Sequence, residues 1–336
     1  MSGLDRRHLL LAAPVAMAAP FLSRAHAQNR PHRIYMMLFR GWEEACDGFR
    51  DFFKSRDIAV DLIVRDARQQ RAAIEEMVRE AKQIRPDLVY LWGTTTAVVA
   101  LGPWDATDKD RYITDLPCVF NIVTEPVANG IVPSLERTGR NATGTLYIVP
   151  AEIQMRTMTA YRAFRKIGAV FSPLETNSIQ MMRSLQRVAS ETGTILIERP
   201  LAVEAGTRNV SVSSLRDNLA ALKADGAEWI YIPPDTALQD RRMELTDTAL
   251  ELGLPTFAAS ERFVSFANAL TGLVCRYYNI GQFTAYKADQ ILRLGKSPAE
   301  IPVETLNRFS FMINMRTANR LRFYPPLRMF RYAETV

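Results

Sequence analysis

Histidine is nearly missing from this chain. Only His8, His26 and His32 occur in 336 residues, all near the N-terminus. A Ser-His-Asp or Cys-His nucleophile needs an imidazole held inside a site, and so does a His-based catalytic metal centre. Both are excluded, which leaves carboxylate-only catalysis as the remaining enzymatic route. Cysteine is also scarce. Cys46, Cys118 and Cys275 are odd in number, far apart and form no CxxC pair. That excludes a disulfide framework and a structural metal. No G-x-G-x-x-G fingerprint is present, so a dinucleotide cofactor is not expected. Gly139 to Gly144 has the G-x4-G spacing of a P-loop but lacks the lysine that must reach the phosphates, which excludes nucleotide hydrolysis. Basic residues are scattered with no long run, so nucleic acid is not an expected partner. No cofactor of any kind is implied.

What is present is ordinary globular composition: 48% hydrophobic and 23% charged residues. The length suggests two domains, each able to bury its own core. Residues 1–27 read as a secretory signal peptide. Arg6 and Arg7 form the charged start, Leu9 to Leu22 is mostly apolar, and Ala25-His26-Ala27 is a small-x-small cleavage site before Gln28. The arginine pair matches a twin-arginine signal; an ordinary Sec signal carrying two arginines is the alternative. No cysteine follows the cleavage site, so no lipid anchor is expected. No later stretch approaches the roughly 18 apolar residues of a membrane helix. A soluble, exported, periplasmic protein with a net charge near +4 once the leader is removed is therefore expected.

From residue 33 onward apolar runs alternate with amphipathic stretches. Strands are predicted at 33–39, 59–64, 88–92 and 117–123, with helices at 43–55 and 72–84. The first helix carries Cys46, Phe49 and Phe53 on one stripe; the second carries Ile74, Met77, Val78 and Ala81. The rhythm restarts with strands at 167–171, 195–198, 229–232, 256–259 and 270–275. Helices are predicted at 177–192, 213–224, 241–252 and 281–294, the first of them with Asn177 as N-cap and Gly193 as its stop. The expected fold class is α/β: two doubly wound open-sheet lobes with a hinge and a ligand cleft.

Ligands in such sheets sit beyond the carboxyl ends of the strands. The residues found there include Arg40 to Glu43, Gly93-Thr94-Thr95-Thr96, Thr124-Glu125-Pro126, Asn177-Ser178, Pro234-Asp235-Thr236 and Ala259-Ser260. A glycine and three hydroxyls at a helix start favour an anion such as a carboxylate; a plain threonine N-cap is the alternative. Asp235 can accept hydrogen bonds from a ligand ammonium, or can cap the following helix. Trp42 and Tyr147 are candidates to face an apolar ligand group, set against ordinary packing.

The segments PDLVYLWGTTTAVVA, LPCVFNIVTEPVANGIVPSLERTGRNATGTLY, IGAVFSPLETNS, WIYIPPDTAL and LPTFAASERFV occur in that order. They are followed by a tail from Ala288 to Pro326. Together they resemble the ABC-transporter substrate-binding family that includes tryptophan- and tyrosine-binding lipoproteins, over about residues 33–334. The resemblance implies a type I periplasmic-binding-protein fold, its lobes joined by three crossovers. Lobe 1 would comprise 32–147 plus 268–302, and lobe 2 148–267 plus 303–336. It places the ligand loops at Gly93 to Thr96, Thr124 to Pro126, Asn141 to Gly144 (Thr143 included), Asn177-Ser178, Asp235 and Ser260. Three stretches depart from the family pattern: Glu125-Pro126 stands where Asp-Pro is usual, Asn268-Ala269-Leu270 and Cys275-Arg276 replace a Gly-Ala-Leu run that ends in glycine, and Trp42-Glu43-Glu44 is an unusual loop.

The resulting expectation is a monomeric solute-binding subunit that catalyses nothing. It would close on an amino acid or related small carboxylate and deliver it to an ABC permease in the inner membrane. Presentation of the bound ligand to a receptor kinase is the alternative. An enzyme built on a carboxylate pair lacks any nucleophile motif. A lactose-repressor-type regulator lacks its helix-turn-helix and would not carry a signal peptide.

Overall fold

The computed structural model describes residues 30–204, 210–211 and 214–336. The expected leader, with Arg6, Arg7 and Ala25-His26-Ala27, lies outside the described residues, as does Ser213, the expected start of a second-lobe helix. From His32 to Val336 the chain is one compact unit.

The first sheet is built from β1 (His32–Leu38), β2 (Val60–Asp66), β3 (Leu88–Trp92), β4 (Cys118–Val123) and β5 (Ala142–Leu146). Its order is β2-β1-β3-β4-β5, parallel throughout. Helices α1 (Glu44–Lys54), α2 (Arg71–Ile84) and α3 (Thr94–Leu101) connect its strands. The predicted stripes are the buried faces: Cys46, Phe49 and Phe53 on α1, and Ile74, Met77, Val78 and Ala81 on α2. β3 and β4 are buried at every position, as parallel strands covered on both faces must be.

The chain then enters the second lobe with α4 (Ala151–Tyr161), which the sequence reading did not anticipate. There follow β6 (Lys166–Phe171), α5 (Thr176–Thr192), β7 (Ile195–Pro200), the short pair β8 (Ala202–Val203) and β9 (Val210–Ser211), α6 (Leu215–Ala224) and β10 (Trp229–Ile232). Next come α7 (Thr236–Asp240), α8 (Arg242–Glu251), β11 (Thr256–Ala258), α9 (Glu261–Ser265) and β12 (Thr271–Val274). After α10 (Tyr277–Leu292) the chain returns as β13 (Ser310–Ile313), α11 (Met315–Leu321), α12 (Leu327–Phe330) and β14 (Ala333–Thr335). The second sheet runs β14-β13-β12-β11-β10-β6-β7. Only the β12–β13 pair is antiparallel.

Several expectations need correction. The return to the first lobe falls after β12, not at 268, because Thr271–Val274 pairs with β11 and β13 inside the second sheet. The helix that carries the return starts at Tyr277, four residues earlier than read. Asn141 to Gly144 is not a loop over the cleft. It enters β5, where Ala142 pairs with Cys118 at the start of β4, so it lies at the opposite end of the sheet from the strand carboxyl ends. Gly144 is there because Phe120 fills the space a Cβ would need, with ring and carbonyl atoms 2.2–2.5 Å away. The N-cap of α5 is Glu175 rather than Asn177, whereas Gly193 ends that helix at φ 69° as expected.

α10 returns to the first lobe and packs along α1 at very short range. A Cβ on Gly48 would lie 2.0 Å from the Tyr278 carbonyl oxygen, and one on Gly281 2.0 Å from that of Ala45. The two glycines let the helix backbones touch. Phe49 also packs on Tyr90 of β3, ring centroids 4.6 Å apart, so α1 ties α10 to the sheet.

Candidate functional site

Each sheet reverses its winding at one place. In the first sheet the reversal lies between β1 and β3, in the second between β6 and β10. A crevice opens beyond the strand ends at such a switch point, and here the two crevices face each other. The inner cavity between them is lined by Phe39 and Arg40 after β1, Trp92 at the end of β3 with Gly93 to Thr95 after it, Ile122 and Tyr147 from the first lobe. Asn177, Pro234 to Thr236, Gln239 and Ser260 line it from the second lobe, and Tyr277 from the crossover. It holds about 30 Å³, room for a water molecule or two. Outward, past Phe39, Thr95 and Thr236, it opens into a vestibule of about 1000 Å³ bordered by Arg68, Arg71, Glu175, Asp240 and Arg241. A small-molecule ligand at the inner cavity therefore requires the lobes to part.

The first-lobe wall is organised by α3. Gly93 is its N-cap at φ 91°, a conformation that disfavours any side chain. The first N–H bonded back within the helix is that of Ala97, to Gly93 O. Those of Thr94, Thr95 and Thr96 are left without a helical partner. Thr94 Oγ1 accepts from the Thr124 N–H (3.0 Å), which fixes the neighbouring loop. Ile122 sits at φ 55°, where β4 slips register against β5. For a β-branched residue that is a strained conformation, and such strain collects at binding sites.

Arg40 reaches across this wall. Its Nε donates to Glu43 Oε1 (3.0 Å), Nη2 to Glu43 Oε2 (3.4 Å) and Nη1 to Thr236 Oγ1 of the other lobe (3.4 Å). The guanidinium lies 4.8 Å from the Trp92 ring centroid. Glu43 also pairs with Arg262 of the second lobe at 3.2 Å. Gln69 Nε2 donates to Asp240 Oδ2 at 3.0 Å. These contacts hold the lobes together.

The second-lobe wall is organised by two carboxylates. Asp235 caps α7 by accepting from Leu238 N–H (3.0 Å) on Oδ1. Its Oδ2 accepts from Ser172 N–H and Ser178 Oγ, both at 2.6 Å. Glu175 accepts from the N–H groups of Thr236 and Ala237 at 2.8–3.0 Å. Burial raises both acids above the ordinary carboxylate range, against the pull of these hydrogen bonds. Glu175, which also feels the charge of Asp235, is pushed up to about 7. Asn177 Nδ2 donates to Pro234 O (2.6 Å).

Of the residues singled out in the sequence, Gly93, Thr94, Thr95, Tyr147, Asn177, Asp235 and Ser260 line the inner cavity. Thr96, Thr124 and Ser178 are buried behind it. Glu125 and Pro126 continue from Thr124 away from the lining, Glu125 at φ 46°. Trp42 does not line it: the residue is 39% exposed and its Nε1 donates to Asp47 Oδ1 (3.0 Å). Asn141, Thr143 and Gly144 lie at the far end of the sheet; Thr143 Oγ1 donates to Ile301 O (2.8 Å). The sequence reading missed Phe39, Trp92, Ile122, Gln239 and Tyr277, and left Arg40 and Thr236 as loop residues. The strand-end rule reaches Phe39, Arg40, Trp92 and Tyr277 once strand ends are fixed to the residue. Gln239 needed a helix starting at 236. Among the described residues no group of three or more metal-ligating side chains occurs, and no helix is long and apolar enough to cross a membrane.

Comparison with known proteins gives this geometry a family. A tyrosine-binding protein of Clostridioides difficile is 29% identical over 240 residues, 70% of this chain; the match spans 63% of that relative's length. A conserved domain protein from Vibrio cholerae superposes with a TM-score of 0.78 at 22% identity, covering 91% of this chain and 99% of its own. An ABC domain from Streptococcus pneumonia in complex with L-Trp gives 0.75 at 19%, covering 90% and 99%. These likenesses show the type I periplasmic-binding-protein fold. The family model for ABC transporter substrate binding proteins matches residues 40–336. That family consists of binding proteins rather than enzymes, and this chain belongs to it.

Proposed function

We propose that the protein is the periplasmic receptor of an ABC importer. It takes up an amino acid or a related small carboxylate between its lobes and passes it to a permease in the inner membrane. The observation that carries this reading is the facing of two switch-point crevices with the start of α3 on one side, where three consecutive threonine N–H groups lack helical partners. Such a helix start attracts a carboxylate. Lobe closure is the working step: the ligand favours the closed form by its greater affinity for it. The names of the tyrosine-binding relative and of the L-Trp complex support an amino-acid-like ligand. Export follows from the leader at residues 1–27.

Two measurements test this. A thermal-shift screen over free amino acids, 2-oxo acids and dicarboxylates should raise the melting temperature for at least one compound. A ligand at about 100 times its dissociation constant adds roughly 2.7 kcal/mol. A response to sugars alone refutes the carboxylate reading. N-terminal sequencing of protein from the periplasmic fraction should begin at Gln28; an uncleaved cytoplasmic form refutes export. Replacing Arg6 and Arg7 by lysine blocks a twin-arginine route and spares a Sec route.

A further inference from the structure

The inner cavity has donors to spare, and the carboxylate that lines it, Asp235, is already engaged. Trp92 Nε1 and Gln239 Nε2 come from opposite lobes; both residues line the cavity, are more than nine-tenths buried and have no hydrogen-bond partner for those N–H groups. Arg40 has five N–H donors, of which Glu43 takes two and Thr236 a third through a long 3.4 Å contact. The carboxylates, the natural partners of an ammonium, are engaged. Asp235 receives three hydrogen bonds and Glu175 four, two of them from the Thr236 N–H. Pro234 O receives the Asn177 amide, Glu43 is held by Arg40 and Arg262, and Asp240 by Gln69. A ligand ammonium would arrive among unfilled donors and find its natural partners engaged. A ligand oxygen would fill donors that are costly to leave buried and unpaired.

We propose that the ligand presents acceptor atoms at both ends: a carboxylate at the Thr94–Thr96 N–H groups, and a keto oxygen or second carboxylate, in place of an ammonium, at Arg40, Trp92 and Gln239. This rests on the small-carboxylate reading above and narrows it. The two ends then draw on different lobes, because Gln239 stands on α7 of the second and α3 on the first. A ligand of this kind stabilises the closed form by ties to both walls. Parting of the lobes on entry breaks the Arg40–Thr236 contact and frees one more guanidinium N–H for the ligand.

The test is calorimetric titration of the purified protein with matched pairs: phenylpyruvate and phenylalanine, 4-hydroxyphenylpyruvate and tyrosine, 2-oxoglutarate and glutamate. In the pair that binds, the oxo acid should bind at least about tenfold more tightly than the amino acid, about 1.4 kcal/mol. Gln239→Glu replaces the donor by an acceptor and should shrink that ratio at least tenfold. Gln239→Met removes the donor without adding an acceptor and should shrink it less, which keeps the comparison available if the glutamate variant does not fold. An amino acid that binds as tightly as its oxo acid, or a ratio unmoved by both substitutions, overturns the proposal and leaves the small-carboxylate reading standing. Failure of every oxo acid, amino acid and dicarboxylate to bind overturns both.

Discussion

Asp235 is where two readings of the cleft part company. Asp235→Asn keeps an oxygen for the Leu238 N–H but puts an NH₂ where Oδ2 now accepts from Ser172 N–H and Ser178 Oγ, each at 2.6 Å. Ser178 can turn its hydroxyl to Pro234 O, 3.0 Å away. The Ser172 N–H has no such exit and is left buried and unpaired, a cost of about 1–3 kcal/mol. Losing charge assistance on the pair adds about 1–2 kcal/mol. Relief of repulsion with Glu175 and of the cost of burying a charge offsets part of this. The expected net loss is about 2–4 kcal/mol, or a fall in melting temperature of roughly 3–6 °C for a unit of this size. Urea denaturation of the ligand-free protein, read as a shift in midpoint at unchanged slope, measures it. If Asp235 is a cap, affinity for an oxo acid and for its amino acid should change by the same factor. A stability loss below about 0.5 kcal/mol, with amino-acid binding selectively weakened, would refute the capping account and restore the carboxylate as a partner for ammonium.

Four further outcomes are expected. Thr95→Ala should weaken carboxylate binding by about 1.5–3 kcal/mol, seen by calorimetry, with stability unchanged within about 0.5 kcal/mol. Thr96→Val should stabilise the fold by up to about 1 kcal/mol and leave affinity alone, because its buried hydroxyl has no partner and does not line the cavity. Gly48→Ala should destabilise by about 3 kcal/mol or more in urea, since its methyl would collide with backbone rather than a movable side chain. Glu175 is raised from 4.5 to about 7 in the fold. It therefore adds stability that is complete below pH 4.5 and is lost as pH rises through about 7. Across that window wild type should lose stability relative to Glu175→Gln by up to about 1.4 kcal/mol per pH unit.

The fold was legible because most of its elements are parallel strands and cover helices whose apolar periodicity survives in the sequence. Leu88–Trp92 and the stripes of α1 and α2 fall where the pattern puts them. Two kinds of element escaped. β5 reads Ala-Thr-Gly-Thr-Leu, too small and polar to show as an apolar run, and is a strand through its parallel pairing with β4, where Phe120 fills the space beside Gly144. α4 has a weak apolar stripe, with Gln154 buried by bonding Val149 O. The site shows the same division. The Thr loop and Asp235 stand at strand ends and can be found by rule. Whether Asp235 is free or already bonded depends on Ser172 and Ser178, more than fifty residues away in sequence, and no local pattern encodes that.

The glycine-lined contact between α1 and α10 has a consequence for the order in which the protein comes into being. The first sheet ends at Leu146, yet the helix that covers it begins at Tyr277, roughly 130 residues later. At ribosomal speeds of 5–20 residues per second, roughly 7–25 seconds pass between the two. During that interval the flank of α1 around Ala45 and Gly48 is uncovered, while the second sheet is still being made. The first lobe is thus first in sequence but cannot be first to finish. A nascent chain stalled before residue 276 should carry a sticky half-domain, a natural client for a holding chaperone until α10 arrives.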